Sequence, residues 1–219
     1  MVGRDRDIGI PRSADICLAA VGLVFSAPVL AISAILIKLT SNGPAFFRQE
    51  RVGRNGARFT LLKLRTMNSV SGSLVTAAND RRVTPVGRLL RRSKIDELPE
   101  LWNVLRGDMS IVGPRPEVPE FVDLNDPAWE VILSFRPGLT DPVTLRLRNE
   151  EQLLADLNAD DSFYKDVVQP YKVRGYVDFV RNRTLTTDIV IIYRTIAAII
   201  FPKRAAPPSK AEMLWSLAE

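Results

Sequence analysis

The longest apolar stretch lies near the N-terminus: Ile16 to Ile37 is 22 residues without a charge, bounded by Asp15 and Lys38. As a straight helix it would measure about 33 Å, enough to cross a hydrocarbon core of about 30 Å. A transmembrane anchor, a buried core helix, and a helix that enters the bilayer and turns back all fit that length. Pro28 sits mid-run, where it removes a backbone hydrogen bond and crowds the carbonyl four residues earlier, so a kink is expected at Ser26-Ala27-Pro28. A second apolar segment, Ile189–Phe201, is 13 residues long, carries Arg194 and is followed by Lys203 and Arg204. It is too short to span and reads as a helix lying at the headgroups.

Between these segments the periodicity changes. FFRQE and RFTLLKL flank Val52-Gly53-Arg54-Asn55-Gly56, which reads as a β-hairpin. Val86–Arg92 predicts a helix with Leu89 and Leu90 inward. Asn68–Thr84 is polar and small-residue rich, a loop or short helix over the site. Leu98, Leu101, Trp102 and Leu105 recur at i, i+3, i+4 and i+7, one apolar stripe ending at Gly107. Pro99 starts that helix within a few residues of Asp96, which puts Asp96 and Glu97 at its positive end. Further helical patterns precede the Arg136-Pro137-Gly138 turn, cover Asn149–Leu157, and run through Tyr164–Arg183, where Tyr171, Tyr176 and Phe179 read as packing. The pattern gives an α+β chain, mostly helical: a single compact domain with one short β-hairpin.

Composition narrows the chemistry. The chain has 219 residues, a net charge of +5 and a pI near 9.6, which points to anionic partners. Aromatics are only 7% and many sit in apolar runs, against the exposed aromatics that nucleic-acid binding uses, so no nucleic acid is expected. A single cysteine, Cys17, excludes a disulfide within the chain. With no histidine, a His general base, a His metal ligand and a Ser-His-Asp triad are all excluded.

The richest stretch is Arg91 to Pro116. Asp96 and Glu97 follow Arg91, Arg92 and Lys94, and Arg115 is set between two prolines that restrict its backbone. Ordinary first-turn acids are the commoner explanation of such a pair. The cationic, turn-rich setting instead favours Mg²⁺ and phosphate, because a hard cation takes few carboxylates plus phosphate oxygens. Of the six cations between Arg48 and Arg65, most suit solvent or anionic lipid headgroups, each worth about 1 kcal/mol. Lys63 and Arg65 alternate with Leu62 and Leu64, which places them on one face.

IDELPELWNVLRGDMSIVGPRPEVPEF resembles the signature core of the bacterial sugar transferases, the monotopic polyprenol-phosphate phosphoglycosyl transferases. FTLLKLRTM (Phe59–Met67) and the N-terminal apolar segment match that family in the same order, and the likeness runs from about Ser13 to Phe201. It implies transfer of a sugar 1-phosphate from a nucleoside-diphosphate sugar, expected to be a UDP-sugar, to polyprenol phosphate, with release of UMP. By the same likeness Asp96 attacks the phosphorus to form a covalent ester. Glu97 helps hold Mg²⁺ or the lipid phosphate, and both acids are metal ligands. Lys63, Arg65, Arg91 and Arg115 are the implied phosphate contacts. Asp188 has a counterpart near the site, although at a helix start it could equally be an N-cap. Ser26 and Pro28 mark the break of a re-entrant helix on the cytoplasmic face of a bacterial inner membrane, in contact with anionic headgroups.

The implied division is an N-terminal extension (1–12), a re-entrant helix-break-helix (13–40), a catalytic domain with interfacial helices (41–201) and an extended tail (202–219). Self-association is left open. Gly138–Ala155 departs from the run found in many relatives and marks a subfamily, a candidate for encoding substrate identity. Three alternatives remain: a Mg²⁺-dependent membrane phosphotransferase without a covalent intermediate, a basic membrane-anchored binding module, and a scaffold subunit.

Overall fold

The computed structural model describes residues 8–68, 76–78, 80–157, 159–201, 208, 209 and 213. One 29-residue helix, α1 (Arg12–Thr40), runs without interruption through Pro28, so the expected helix-break-helix is absent. A single proline removes one backbone hydrogen bond, a loss the rest of a helix this long absorbs. The Ser26 hydroxyl donates back to the Leu23 carbonyl (3.3 Å).

α1 is fastened to the body along its whole length. At its start, the Arg12 guanidinium donates to the carbonyls of Val104, Leu105 and Met109. Asp15 accepts from the Ser110 hydroxyl (3.0 Å) and the Ile111 amide (2.8 Å). Midway, Gly22 lies against Leu101, close enough that a Cβ would stand 2.9 Å from its methyl. At the end, Ile37 is buried with Leu64 and Leu90. The opposite face is bare, with Val24, Phe25 and Leu39 each more than two-thirds exposed.

The hairpin forms as expected from antiparallel strands β1 (Phe46–Val52) and β2 (Arg58–Leu64), whose register pairs Phe47 with Lys63. Asn55 takes a left-handed conformation (φ 57°) in the turn, a position where asparagine is tolerated. α2 (Pro85–Ser93) is capped by the Thr84 hydroxyl, and α3 (Glu100–Arg106) ends at Gly107 (φ 93°). Leu90 is buried, but Leu89 and Trp102 are largely exposed, correcting their inward placement. α3 is clamped to β2 by Asn103, which accepts from the Leu62 amide (3.0 Å) and donates to the Thr60 carbonyl (2.7 Å).

A second pair, parallel strands β3 (Ser110–Val112) and β4 (Gly138–Thr140), was not anticipated. Three residues each are too few to show a period. Around them come α4 (Pro127–Leu133), α5 (Pro142–Arg146), α6 (Glu150–Asp156) and α7 (Asp161–Phe163). A π-turn over Tyr164–Val168 leads into α8 (Gln169–Arg181), and α9 (Leu185–Ile200) follows. The main core joins α4, α5, α6 and α8 through Trp129, Val143, Leu154 and Tyr176, and Met213 of the C-terminal tail is buried in it. Most of the tail and of the N-terminal extension, and part of Asn68–Thr84, lie outside the described residues.

Gly138 fixes how the two strands meet. A Cβ there would stand 2.1 Å from the Gly113 nitrogen, a backbone atom that cannot move aside. Gly138→Ala is therefore expected to destabilise the fold by about 3 kcal/mol and to displace the turn carrying Arg115, measurable by thermal denaturation.

Candidate active site

α2 ends with Lys94 in a left-handed conformation (φ 59°), a strained choice for a side-chain-bearing residue, and the chain turns at once into the short 3₁₀ turn Ile95–Glu97. The acids thus occupy a turn of their own ahead of α3 rather than its first turn. Asp96 is only 7% exposed, and its Oδ1 has no hydrogen-bond partner among the described residues. Glu97 is held firmly: Oε1 accepts from Arg115 Nη2 (2.5 Å) and Lys63 Nζ (3.3 Å), and Oε2 accepts weakly from Arg115 Nη1 (3.4 Å). Lys63 also lies 3.1 Å from Glu100 Oε1.

The two neighbours titrate in opposite directions. Burial, reinforced by the Glu97 charge, pushes Asp96 up to about 6, while Lys63, Lys94 and Arg91 pull the other way. Burial also pushes Glu97 up, but Arg115, then Lys63 and Lys94, outweigh it and hold Glu97 well below the usual carboxylate range. One acid is clamped as a permanent anion. The other is a poorly solvated carboxylate with a free oxygen.

Asp96 lines a cleft of about 1250 Å³, shared with Lys63, Arg65, Arg91, Glu97 and Arg115. Among the described residues ten cations line it against five carboxylates, a setting suited to a doubly or triply charged anion. Arg91 is oriented by Glu151 of α6 (2.5 and 2.9 Å) and reaches Thr66 (3.3 Å). Arg65 donates to the Ser41 carbonyl and hydroxyl (each 2.9 Å) and to the Asn42 carbonyl, so it also fixes the end of α1. Asp188 does not line the cleft. It is fully buried in the first turn of α9, paired with Arg183 (2.8 Å) and accepting from the Ile10 amide (2.9 Å). The N-cap of α9 is Thr184, in a capping box with Thr187.

Sequence reasoning missed a second buried cluster on the same cleft. Lys172 Nζ lies 2.6 Å from Glu117 Oε1, 3.7 Å from Glu150 Oε2, and donates to the Tyr164 hydroxyl (2.8 Å). Glu117 directly follows the GPRP turn, and Lys172 and Tyr176 are four apart on α8. That spacing was a usable signal, hidden because α8 reads as a packing helix.

No three Asp, Glu, Cys or His side chains converge into a metal cage among the described residues. Mg²⁺ needs less: one or two carboxylates, with substrate phosphates and water completing the shell. The free Asp96 oxygen suits that demand. Glu97 can join only by loosening its hold on Arg115 or Lys63.

Known proteins resemble this chain over most of its length. A UDP-glucose:undecaprenyl-phosphate glucose-1-phosphate transferase of Caulobacter vibrioides is 38% identical over 196 residues, covering 86% of this chain and 69% of that one. A putative undecaprenyl-phosphate N-acetylgalactosaminyl 1-phosphate transferase of Bacillus subtilis is 48% identical over 121 residues, 54% of this chain and 68% of its own. The exopolysaccharide production protein ExoY of Rhizobium meliloti is 34% identical over 217 residues, 90% and 89% of the two chains. The model of the bacterial sugar transferase family matches residues 7–202, which takes in α1, the cation-lined cleft and the Asp96–Glu97 turn together. The chain belongs to the bacterial sugar transferase family, and it is a transferase.

Proposed function

We propose that this enzyme moves a sugar 1-phosphate from a UDP-sugar to undecaprenyl phosphate or a similar polyprenol phosphate through an ester on Asp96. The observation that carries this reading is the buried Asp96 carboxylate, with one unpartnered oxygen, facing a cleft rich in cations. An Asp96 oxygen attacks the sugar-bearing phosphorus, and the bond to the bridging oxygen breaks, so UMP leaves with that electron pair. The lipid phosphate then attacks the same phosphorus and expels Asp96, giving a polyprenyl-diphosphate sugar.

Because Asp96 is already poorly solvated, little hydration has to be stripped from it before attack. Arg115 and Lys63 are anchored on Glu97 and keep further N–H groups to bind phosphoryl oxygens, and Arg91 adds charge from α2. Mg²⁺, held by Asp96 and Glu97 with substrate oxygens, would supply neutralisation of the charge developing on the diphosphate.

Membrane placement follows from the bare faces of α1 and α9. A helix tied to one body at both ends cannot leave that body on one side of a bilayer and emerge on the other. α1 therefore rests along one leaflet as an uninterrupted helix, with both its ends on the side of the body. The exposed aliphatics of α9, among them Ile189, Ile196 and Ile200, offer a second apolar face to the headgroup region. Anionic headgroups meet the flanking cations, and the UDP-sugar places the body on the cytoplasmic face. An acceptor phosphate at the headgroup plane then reaches the cleft while its tail stays in lipid.

Mixing enzyme, Mg²⁺ and a UDP-sugar without acceptor is expected to release a burst of UMP close to one equivalent of enzyme. Absence of any burst, with normal turnover once polyprenol phosphate is added, would mean direct transfer instead. The pH dependence carries its own sign: Asp96 ionises at about 6 before Mg²⁺ binds, and lower once the cation sits on it, so kcat/KM should fall as pH drops through that ionisation and level off above it. A kcat/KM that rises as pH falls from 7 to 5 would contradict an anionic Asp96 as the attacking group.

A further inference from the structure

The lining of the cleft is of two kinds. Phe46, Ile196 and Ile199 are exposed apolar residues at its rim. Its enclosed wall is polar and is built where α8 meets the variant segment Gly138–Ala155. Val143 of α5 presses on Gly175 of α8, where a Cβ would stand 2.5 Å from its methyl, and this close approach brings the neighbouring Tyr176 against the cleft. Tyr176 is fully buried, yet its hydroxyl has no hydrogen-bond partner among the described residues. A phenol buried in that state gives up its water without replacement, which is retained when a ligand completes the bond.

We infer that Tyr176, displayed with Lys172 on one face of α8, is a specificity-determining contact to the sugar ring of the donor. This rests on the reading of the cleft as a phosphoglycosyl transfer site. Burial, then the nearby anions Asp141 and Glu117, hold the Tyr176 hydroxyl well above its ordinary range, against the pull of Lys172. It therefore stays neutral, able both to donate and to accept, which is what a sugar hydroxyl requires. Lys172 and Glu117, 2.6 Å apart, place a fixed donor and a fixed acceptor in the same wall.

Position selects the sugar over the nucleobase. Tyr176 and Arg115 line the same cleft as Asp96, and Arg115 holds Glu97 beside Asp96. With the reacting phosphorus at Asp96, the sugar is separated from it by one oxygen. The base lies beyond a second phosphate and a ribose. The Gly138–Ala155 segment lines the same cleft through Leu139, Thr140, Thr144 and Leu147.

The test uses full-length enzyme with Mg²⁺, polyprenol phosphate and four donors: UDP-glucose, UDP-galactose and their two N-acetylamino counterparts. In Tyr176→Phe the ring keeps its packing. Expected results are a loss of about 10–100-fold in kcat/KM for the preferred donor, a matching collapse of discrimination among the four, and product inhibition by UMP unchanged. The melting temperature should hold or rise, since an unpaired buried hydroxyl has been removed. Unchanged kcat/KM and discrimination would overturn the assignment. A parallel weakening of UMP would also overturn it, by placing the nucleoside at Tyr176. Failure of the wild-type enzyme to turn over any of the four donors would overturn the phosphoglycosyl reading beneath it, a different result from either.

Discussion

Asp96→Asn is expected to reduce turnover by about 10⁴-fold or more, the scale of loss when a covalent nucleophile is removed, while making the protein more stable. The second half follows from linkage. Asp96 ionises at about 6 when folded, above its ordinary 3.8, so the native state holds this proton more tightly than the unfolded chain. Stability from this group is therefore fully present below about pH 4 and is lost as pH rises through about 6. Asparagine carries no charge to bury, so at pH 7 and above the variant should be more stable by on the order of 2 kcal/mol. Chemical denaturation at pH 4.5 and 7.5 checks the sign, with the gain present at 7.5 and nearly absent at 4.5. A variant destabilised at both values would make Asp96 a structural residue and remove the basis for its catalytic role.

Arg115→Ala should be damaging in both respects. It leaves Glu97 with Lys63 as its remaining close cation, and an imperfectly paired buried charge is far more expensive than a lost exposed pair. A destabilisation of about 2–3 kcal/mol is expected, with a loss of about 10²–10³ in kcat from the missing phosphate contact. Glu97 has its folded titration depressed, so its contribution is present above about pH 4.5 and disappears as pH falls through the folded value. Combining Arg115→Ala with Glu97→Gln should restore much of the stability and none of the activity. Recovery of activity in the double variant would show that Arg115 serves the fold alone.

The contrast between these residues explains what could be read from the sequence. Asp96, Glu97, Lys63 and Arg115 belong to two short motifs, and their convergence follows from local devices: the left-handed Lys94, the Asn103 clamp on β2 and the parallel pairing that pins the GPRP turn. Those motifs were legible because each residue lies within a few positions of a proline, a glycine or a charge run. The hairpin and the two apolar helices were legible through periodicity and length. What could not be read depends on contacts distant in sequence. Asp188 looked like a site residue or a cap, yet Arg183 and the Ile10 amide, 178 residues away, claim it for the fold. Leu89 and Trp102 fit a core stripe, but they stay 65% and 49% exposed. Lys172 and Tyr176 carry a local signal in their spacing on α8, but their meeting with Glu117 depends on how α8 folds back, a tertiary fact that the spacing does not carry.

The most direct test of the Asp96 ester is intact-protein mass spectrometry on enzyme mixed with Mg²⁺ and a UDP-sugar, without lipid acceptor, followed by peptide mapping. The aspartyl route predicts a mass increase of one sugar phosphate on the peptide containing Asp96, absent in Asp96→Asn and discharged when polyprenol phosphate is added. An enzyme that turns over fully with acceptor yet never carries the adduct, or carries it on another residue, would contradict that route.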